Sequence, residues 1–312
     1  MEQEIIAPVS TELIESELTE SAFLRDTNKG GNKIYVVDAH TAPNVMREVG
    51  RLREIAFRAA GGGTGKDCDI DEYDLMTPAC RQLVVWDPDA RLILGAYRYI
   101  TGKDIVIRED GTPRIATAHM FRFSPQFIEE YLPNILELGR SFVRLEYQSS
   151  KAGAKALYAL DNLWDGLGAL TVVHPDVKYY FGKVTMYPNY NVECRNMLLY
   201  FFKKYFNDPD GLVTPISPLD TKIDEEAMAN LFTGANYMED YKILNHEIRS
   251  HGFNIPPLIN AYMSLSPTMR SFGTAINDEF GDVEETGIMI TVEEIVEAKR
   301  QRHIGTFCLK AD

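Results

Sequence analysis

The alternation of strand-like and helix-like segments predicts an α/β (α+β) fold, a central mixed sheet with helices on both faces and a helical C-terminal elaboration. Three observations carry it. Between residues 34 and 187 the periodicity runs strand, helix, strand, strand, short helix, strand, helix, strand, the order expected of helices packed on a sheet. An amphipathic helix with a wide apolar stripe comes early, at 44–60. Beyond residue 190 the spacing turns mostly helical.

Residues 11–25 place Leu13, Ile14, Leu18 and Leu24 at helical spacing and read as a helical arm within 1–29. A turn, NKGGN at 28–32, precedes a β-branched strand, IYVVDA at 34–39. The helix at 44–60 turns Val45, Val49, Leu52, Ile55, Ala56 and Ala59 to one side. A glycine-rich loop, GGGTGKDCDIDEYD, leads to strands at 82–86 and 92–100 joined by the turn DPDA. A polar excursion covers 101–118, a helical stretch follows at 127–132, and ILELGRSFVRLEY at 135–147 reads as one long strand. A small-residue loop at 149–154, a helix at 156–170 and a strand at 178–186 complete a core over 30–190. Helices at 191–206, 225–232, 237–250 and 256–265 and a late strand at 286–292 form a C-terminal extension, 191–312, of the same continuous domain.

The chain has 312 residues and a net charge of −14, so a broad nucleic-acid-binding face is not expected. Cys68, Cys80, Cys194 and Cys308 form no CxxC pair and suit reduced cytosolic thiols, with no metal site expected. The N-terminus is acidic rather than basic and then apolar, and no apolar run is long enough to span a membrane. A cytoplasmic location is expected.

Three suggestive motifs fail on spacing. GGGTGKD follows a helix, has Ala60 where a phosphate loop needs its first glycine, and has Asp67 after Lys66. HEIRSH at 246–251 places its second histidine one residue too late for a zinc-protease helix face. LLYFFKKYF at 198–206 suits a buried helix with a solvated lysine edge better than a membrane-surface helix.

Charge is concentrated instead in four apolar settings: Arg53 to Phe57 on the first helix, 69–74 in the loop, Tyr97-Arg98 on a strand, and Glu137-Leu-Gly-Arg140 on the long strand. Buried charges are costly unless paired, so Asp71, Asp74 and Arg98 become candidate partners of Glu137 and Arg140. A purely structural ion network explains each residue taken singly just as well. Residues 137 and 140 would face opposite ways on a regular strand. A bulge at Gly139 would change that and splay the strand from its neighbour, freeing backbone N–H groups around Gly139 and Ser141 for an oxyanion.

With these residues in place, the chain resembles a family. FRAAGGGTGKDCDIDEYD, LVVWDPDARLILGAYRYI, LELGRSFVRLEY, LDNLWDGLGAL, YYFGKVTMYPNYN and PPLINAYMSLSP followed by AINDEFGD look like the hemolysin-like GNAT acyltransferases, which include lyso-ornithine-lipid and glycine-lipid N-acyltransferases. The likeness runs from about residue 30 to 295, and NKGGN, IYVV and GGGTGKD sit closest to the glycine-lipid branch. A more distant similarity is to acyl-homoserine-lactone synthases, whose motif residues match Arg53, Phe57, Asp71, Asp74, Arg98, Glu137 and Arg140. The tryptophan those synthases carry after the phenylalanine is absent, because 61–65 is GGGTG. This argues against S-adenosylmethionine as acceptor.

The resemblance implies a GNAT fold with a splayed strand pair and transfer of a long-chain, optionally 3-hydroxylated acyl group to an amino acid. Glycine is the first expectation, and a lyso-ornithine-lipid type of acceptor or a non-catalytic lipid-binding module is the alternative. The usual acetyl-CoA loop is degraded here to Gln148-Ser-Ser-Lys-Ala-Gly-Ala154. That favours the acyl-phosphopantetheine of acyl carrier protein as donor, with no bound cofactor and at most peripheral contact with the inner membrane face. Glu137 would be the general base, beside Arg140, Arg98, Asp71 and Asp74. Gly139 and Ser141 would supply oxyanion amides. Lys151, Gly153 and Lys155, opening a helix, would hold the donor phosphate unless they are ordinary solvated residues. Arg53 and Phe57 would contact the acceptor or brace the site.

Overall fold

A computed structural model of the protein describes residues 2–148 and 154–309. Its frame is an eight-stranded sheet in the order β1-β2-β3-β4-β6-β7-β10-β9. The strands are β1 (Phe23–Asp26), β2 (Lys33–Val37), β3 (Arg81–Asp87), β4 (Leu92–Thr101), β6 (Ile135–Val143), β7 (Tyr179–Met186), β9 (Arg270–Asn277) and β10 (Val283–Thr291). β5 (Phe121–Phe123) and β8 (Val213–Pro215) form a separate antiparallel pair. The β6–β7 pair is parallel and the other neighbours are antiparallel.

Helix α1 (Thr11–Glu17) starts at Ser10, whose side chain accepts from Leu13 N. It is shorter than the expected arm over 11–25. Residues 23–26 pair with β2 instead, because an otherwise open sheet edge offers a ladder that outweighs local helical spacing. Helix α2 (Pro43–Ala60) has proline in its first turn and ends on Gly61 at φ 94°. Its Val45, Met46, Val49 and Leu52 pack on one face of the sheet against Val84, Trp86, Ala96 and Phe142. The other face carries α4 (Ala154–Val173) and α5 (Val192–Tyr205), with Leu163, Trp164, Leu167, Leu198 and Phe201 covering Leu83, Val85, Tyr97 and Leu138. Lys203 and Lys204 on α5 reach Glu225 and Asp240 while Phe201 and Phe202 are buried, so the aromatic run is core with a solvated edge.

The C-terminal part differs from its reading as mostly helical with one late strand. Both β9 and β10 join the main sheet beyond β7. Alternation along RSFGTAIN is broken by Gly273 and polar inward residues, so the period-2 signal is weak there. The long strand also ends earlier than expected, at Val143, and 145–147 form a single tight turn.

β6 and β7 stay in register only from Ile135↔Tyr179 to Leu138↔Gly182. Beyond that the two strands part. Gly182 permits the last close step, since a Cβ on it would lie 2.5 Å from the Leu138 carbonyl oxygen. Gly182→Ala is therefore expected to force this pair apart at a cost of roughly 1–3 kcal/mol. Chemical denaturation would read the loss, and an unchanged midpoint would mean the strands are not held this tightly.

Candidate active site

The site grows from the bulge in β6. Between Ala96↔Phe142 and Arg98↔Gly139, β4 advances two residues while β6 advances three. The extra residue is accommodated at Arg140, which takes φ 46°. The expected bulge is present one position beyond Gly139, and it coincides with the end of the β6–β7 ladder. A left-handed conformation is strained for a residue with a side chain and persists only when its surroundings enforce it.

The DxxD spacing at 71–74 has a local cause. Asp71 is the N-cap of α3 (Glu72–Leu75) and accepts from Tyr73 N and Asp74 N, while Asp74 Oδ2 accepts from Asp71 N. This reciprocal capping box aims both carboxylates at the sheet. Arg98 Nη1 donates to Asp71 Oδ1 and Oδ2, each at 2.7 Å, and to Asp74 Oδ2 at 3.3 Å. Arg53, wholly buried on α2, donates to Asp74 Oδ2 at 3.1 Å, Gln82 Oε1 at 2.6 Å and the Asp69 carbonyl at 3.2 Å. Gln82 Nε2 closes the ring on Asp74 Oδ1 at 2.9 Å. Arg53 is thus a brace; no substrate reaches it without the cluster opening.

Arg140 turns to the loop carboxylates, to Asp71, a candidate partner from its setting, and to Asp69, which was not one. Its Nε lies 3.0 Å from Asp69 Oδ2 and its Nη2 3.7 Å from Asp71 Oδ2. Its guanidinium stacks 4.3 Å from the Phe280 ring centre, and Phe280 packs edge-on against buried Phe57 at 4.9 Å. Phe57 therefore acts through Phe280 on Arg140. Burial works to raise the Asp71 carboxyl, but Arg98 and Arg140 outweigh it and hold it far below the usual carboxylate range.

Glu137 is 1% exposed. Thr117 Oγ1 lies 3.5 Å from its Oε1. Burial is the dominant influence and pushes the carboxyl from an ordinary 4.5 up to about 7, against the opposing pull of Arg98 and then Lys183. Lys183 and Glu285, which the sequence reading passed over, form a buried ion pair at 2.5 Å on β7 and β10. Burial lowers the Lys183 ammonium's pKa; burial also works to raise the Glu285 carboxyl, but Lys183, Arg140 and Asn277 together outweigh it and lower that carboxyl. Asn277 and Thr185 bond Glu285, and His119 Nε2 contacts Asn277 Oδ1 at 3.2 Å. The lone lysine inside YYFGKVTM and the Glu284-Glu285 pair opening VEETGIMIT were the available signal, of the same kind that exposed Glu137.

Ser141 bonds with its side chain to Tyr97, whose apolar neighbours lie on the face opposite α2. Lys151 and Gly153 lie outside the described residues. Lys155 lies in α4 with its side chain likewise undescribed. The glycine-rich loop is occupied by its own chain: buried Glu54 accepts from Thr64 N, Thr64 Oγ1 and Gly65 N and pairs with Arg58. Its amides therefore face a carboxylate rather than a phosphate. His251 pairs with Glu193 rather than with His246, and among the described residues no group of three His, Cys, Asp or Glu is placed to hold a metal. No helix among the described residues is long and apolar enough to cross a membrane. A separate cavity of about 530 Å³, lined by Arg81, Tyr99 and His174 among others, contains none of these site residues.

The family model for the acetyltransferase (GNAT) domain matches residues 52–158, which span the second half of α2, the capped carboxylates and the bulged strand. The fold and site define a GNAT-fold N-acyltransferase. The chain is 65% identical to a glycine N(alpha)-acyltransferase of Bacteroides thetaiotaomicron, over 98% of this chain and 90% of that one. It is 62% identical to one from Phocaeicola vulgatus, over 98% of this chain and 94% of that one. It belongs to the glycine N(alpha)-acyltransferase family. A CoA-dependent acyl-homoserine lactone synthase solved with SAM and isopentyl-CoA is 12% identical, covering 88% of this chain and 90% of that one, with a TM-score of 0.36.

Because burial disfavours its charged form, Glu137's folded pKa exceeds its unfolded one. Its contribution to stability is intact below about pH 4.5 and is lost as pH rises through about 7. Glu137→Gln is therefore expected to be more stable than the native chain at pH 8, by up to about 3 kcal/mol, and equally stable at pH 4. Urea titrations at the two pH values measure this. A variant less stable at pH 8 would mean the carboxylate is well solvated or paired.

Proposed function

We propose that the chain transfers a long-chain fatty acyl group from acyl carrier protein to the amine of glycine, yielding an N-acyl glycine for aminolipid synthesis. The observation that carries the reading is Glu137, a buried carboxyl with a pKa of about 7, where β6 leaves β7. A base of that strength is matched to taking a proton near neutral pH. The names of the two relatives support glycine as acceptor. The degraded loop at 148–154 supports a carrier-protein donor over free acetyl-CoA.

The thioester lies in the notch between β6 and β7. Glycine's ammonium gives a proton to Glu137, directly or through water. The freed amine attacks the thioester carbonyl, and backbone amides near Gly139 and Ser141 hold the oxyanion. The C–N bond forms, the C–S bond breaks, and the leaving phosphopantetheine thiolate takes up the proton shed by the attacking nitrogen. Since the chain carries −14 overall and carrier proteins are acidic, docking rests on a local basic patch, which we place at Lys151 and Lys155.

Glu137→Gln is expected to lower kcat by ~10²–10⁴ and to abolish the acidic limb of the pH–rate profile near 7. Thiol release and mass spectrometry of the product measure both. A near-native kcat would move the base elsewhere. In parallel, Lys151→Glu with Lys155→Glu is expected to raise KM for acyl carrier protein far more than it lowers kcat, and to spare a short acyl-pantetheine donor. Equal impairment of both donors would put the lysines inside the catalytic cleft.

A further inference from the structure

Arg98 carries an unused recognition edge. It is 1% exposed, and every hydrogen bond it makes to Asp71 and Asp74 comes from Nη1. Its Nε and Nη2 have no hydrogen-bond partner among the described residues. In a planar guanidinium, Nε–H and one Nη2–H point the same way and form the side-on fork that receives a carboxylate through two parallel bonds. Buried polar groups are normally satisfied, so two open donors on one buried fork point to a ligand.

The register shows room beside that fork. Gly139 is the direct antiparallel partner of Arg98, and directly opposed residues project from the same face. A side chain at 139 would therefore stand next to the Arg98 side chain. A Cβ there meets no atom within 4 Å, and the backbone of Gly139 is outside the left-handed region, so nothing else demands glycine. Glu137, the partner of Ile100, projects from the same face one diagonal step away. The fork, the open space and the base share one patch of sheet.

Resting on the reading that an amino acid is the acceptor, we propose that Nε and Nη2 of Arg98 clamp the acceptor's carboxylate in the space over Gly139, placing its amine against Glu137. The donor does not suit this fork. Its reacting end is an uncharged thioester, and its phosphate sits at the far end of the pantetheine arm. Buried Lys183 on β7, paired with Glu285, lies close enough to act on Glu137 from the neighbouring strand. Arg98 thus selects α-amino acids over simple amines, and Gly139 leaves the acceptor its space.

The native enzyme tests the clamp without any risk of misfolding. With saturating acyl carrier protein donor, glycine is compared with glycinamide and ethylamine at equal concentrations of free amine. A lost charge-assisted bond lowers kcat/KM by roughly 10–150-fold, and both uncharged analogues are expected to show at least that loss. Gly139→Ala retains the backbone N–H and is expected to melt at or above the native temperature, since glycine is replaced without strain. Its KM for glycine rises while KM for the donor stays unchanged. Arg98→Lys, which keeps the charge and loses the fork, raises KM for glycine in the same selective way if it folds. Glycinamide used as readily as glycine overturns the proposal, as does a Gly139→Ala variant impaired toward the donor alone. If the native enzyme acylates another amine and not glycine, the acceptor reading falls, and the clamp is judged by whether that amine carries a carboxylate.

Discussion

The site depends on one desolvated guanidinium. Arg98 sits inside the sheet with its charge compensated by Asp71 and Asp74, and Asp74 is shared with Arg53 behind it. Each of these groups is affordable only because the others are present: removing one leaves a buried charge, at a cost of roughly 3–5 kcal/mol. The cluster joins α2, the α3 turn, β3 and β4 through side chains rather than backbone. It therefore fixes where the 69–75 segment lies over the sheet, and with it Asp69 and Asp71, the partners that hold Arg140. A hydrophobic seam of the same volume would be as stable but would not set directions so narrowly.

A second constraint is imposed by the backbone. One extra residue in β6 ends the parallel ladder at Leu138 and Gly182 and turns Arg140 into the left-handed region. The polar groups that result lie on the α2 face, between two apolar clusters: one built on Val45, Val49 and Trp86, the other on Ile100, Phe121, Ile135 and Phe181. The seam between clusters is where a buried carboxyl, a buried ammonium and an open backbone edge can be assembled with least loss of core. Glu137 and Lys183 occupy it from the two strands that part.

Much of this was legible in the residues. The helix at 44–60, the strands at 82–86, 92–100 and 178–186, and the charges misplaced in apolar settings followed from periodicity and from the cost of burying ions. Gly139 pointed to a bulge in this strand, and the extra residue falls one position on, at Arg140. Residues 23–26 and 270–277 were not legible as strands, because edge pairing is decided by what the sheet leaves open, not by local alternation. Of the partners of Arg140, Asp71 was a candidate from its charge and setting. Asp69, which the chain brings from 71 residues off, was not. The carboxylate in the glycine loop, Glu54, is likewise a contact that only the fold creates.

The turn at Arg140 decides the chemistry of Glu137. Had the guanidinium paired with Glu137, the opposite charge at contact distance would have held that carboxyl low, as Arg98 and Arg140 together hold Asp71. A carboxylate so stabilised stays ionised well below neutral pH. The left-handed turn sends Arg140 to Asp69 and the Phe280 ring instead, so burial governs Glu137 and lifts it to about 7. The same bulge that parts β6 from β7 thus separates the Arg140 cation from the Glu137 carboxyl. Opening the cleft and setting the basicity of its carboxylate are one structural event, and its cost in strain is met by the ion pairs that keep Arg140 turned away.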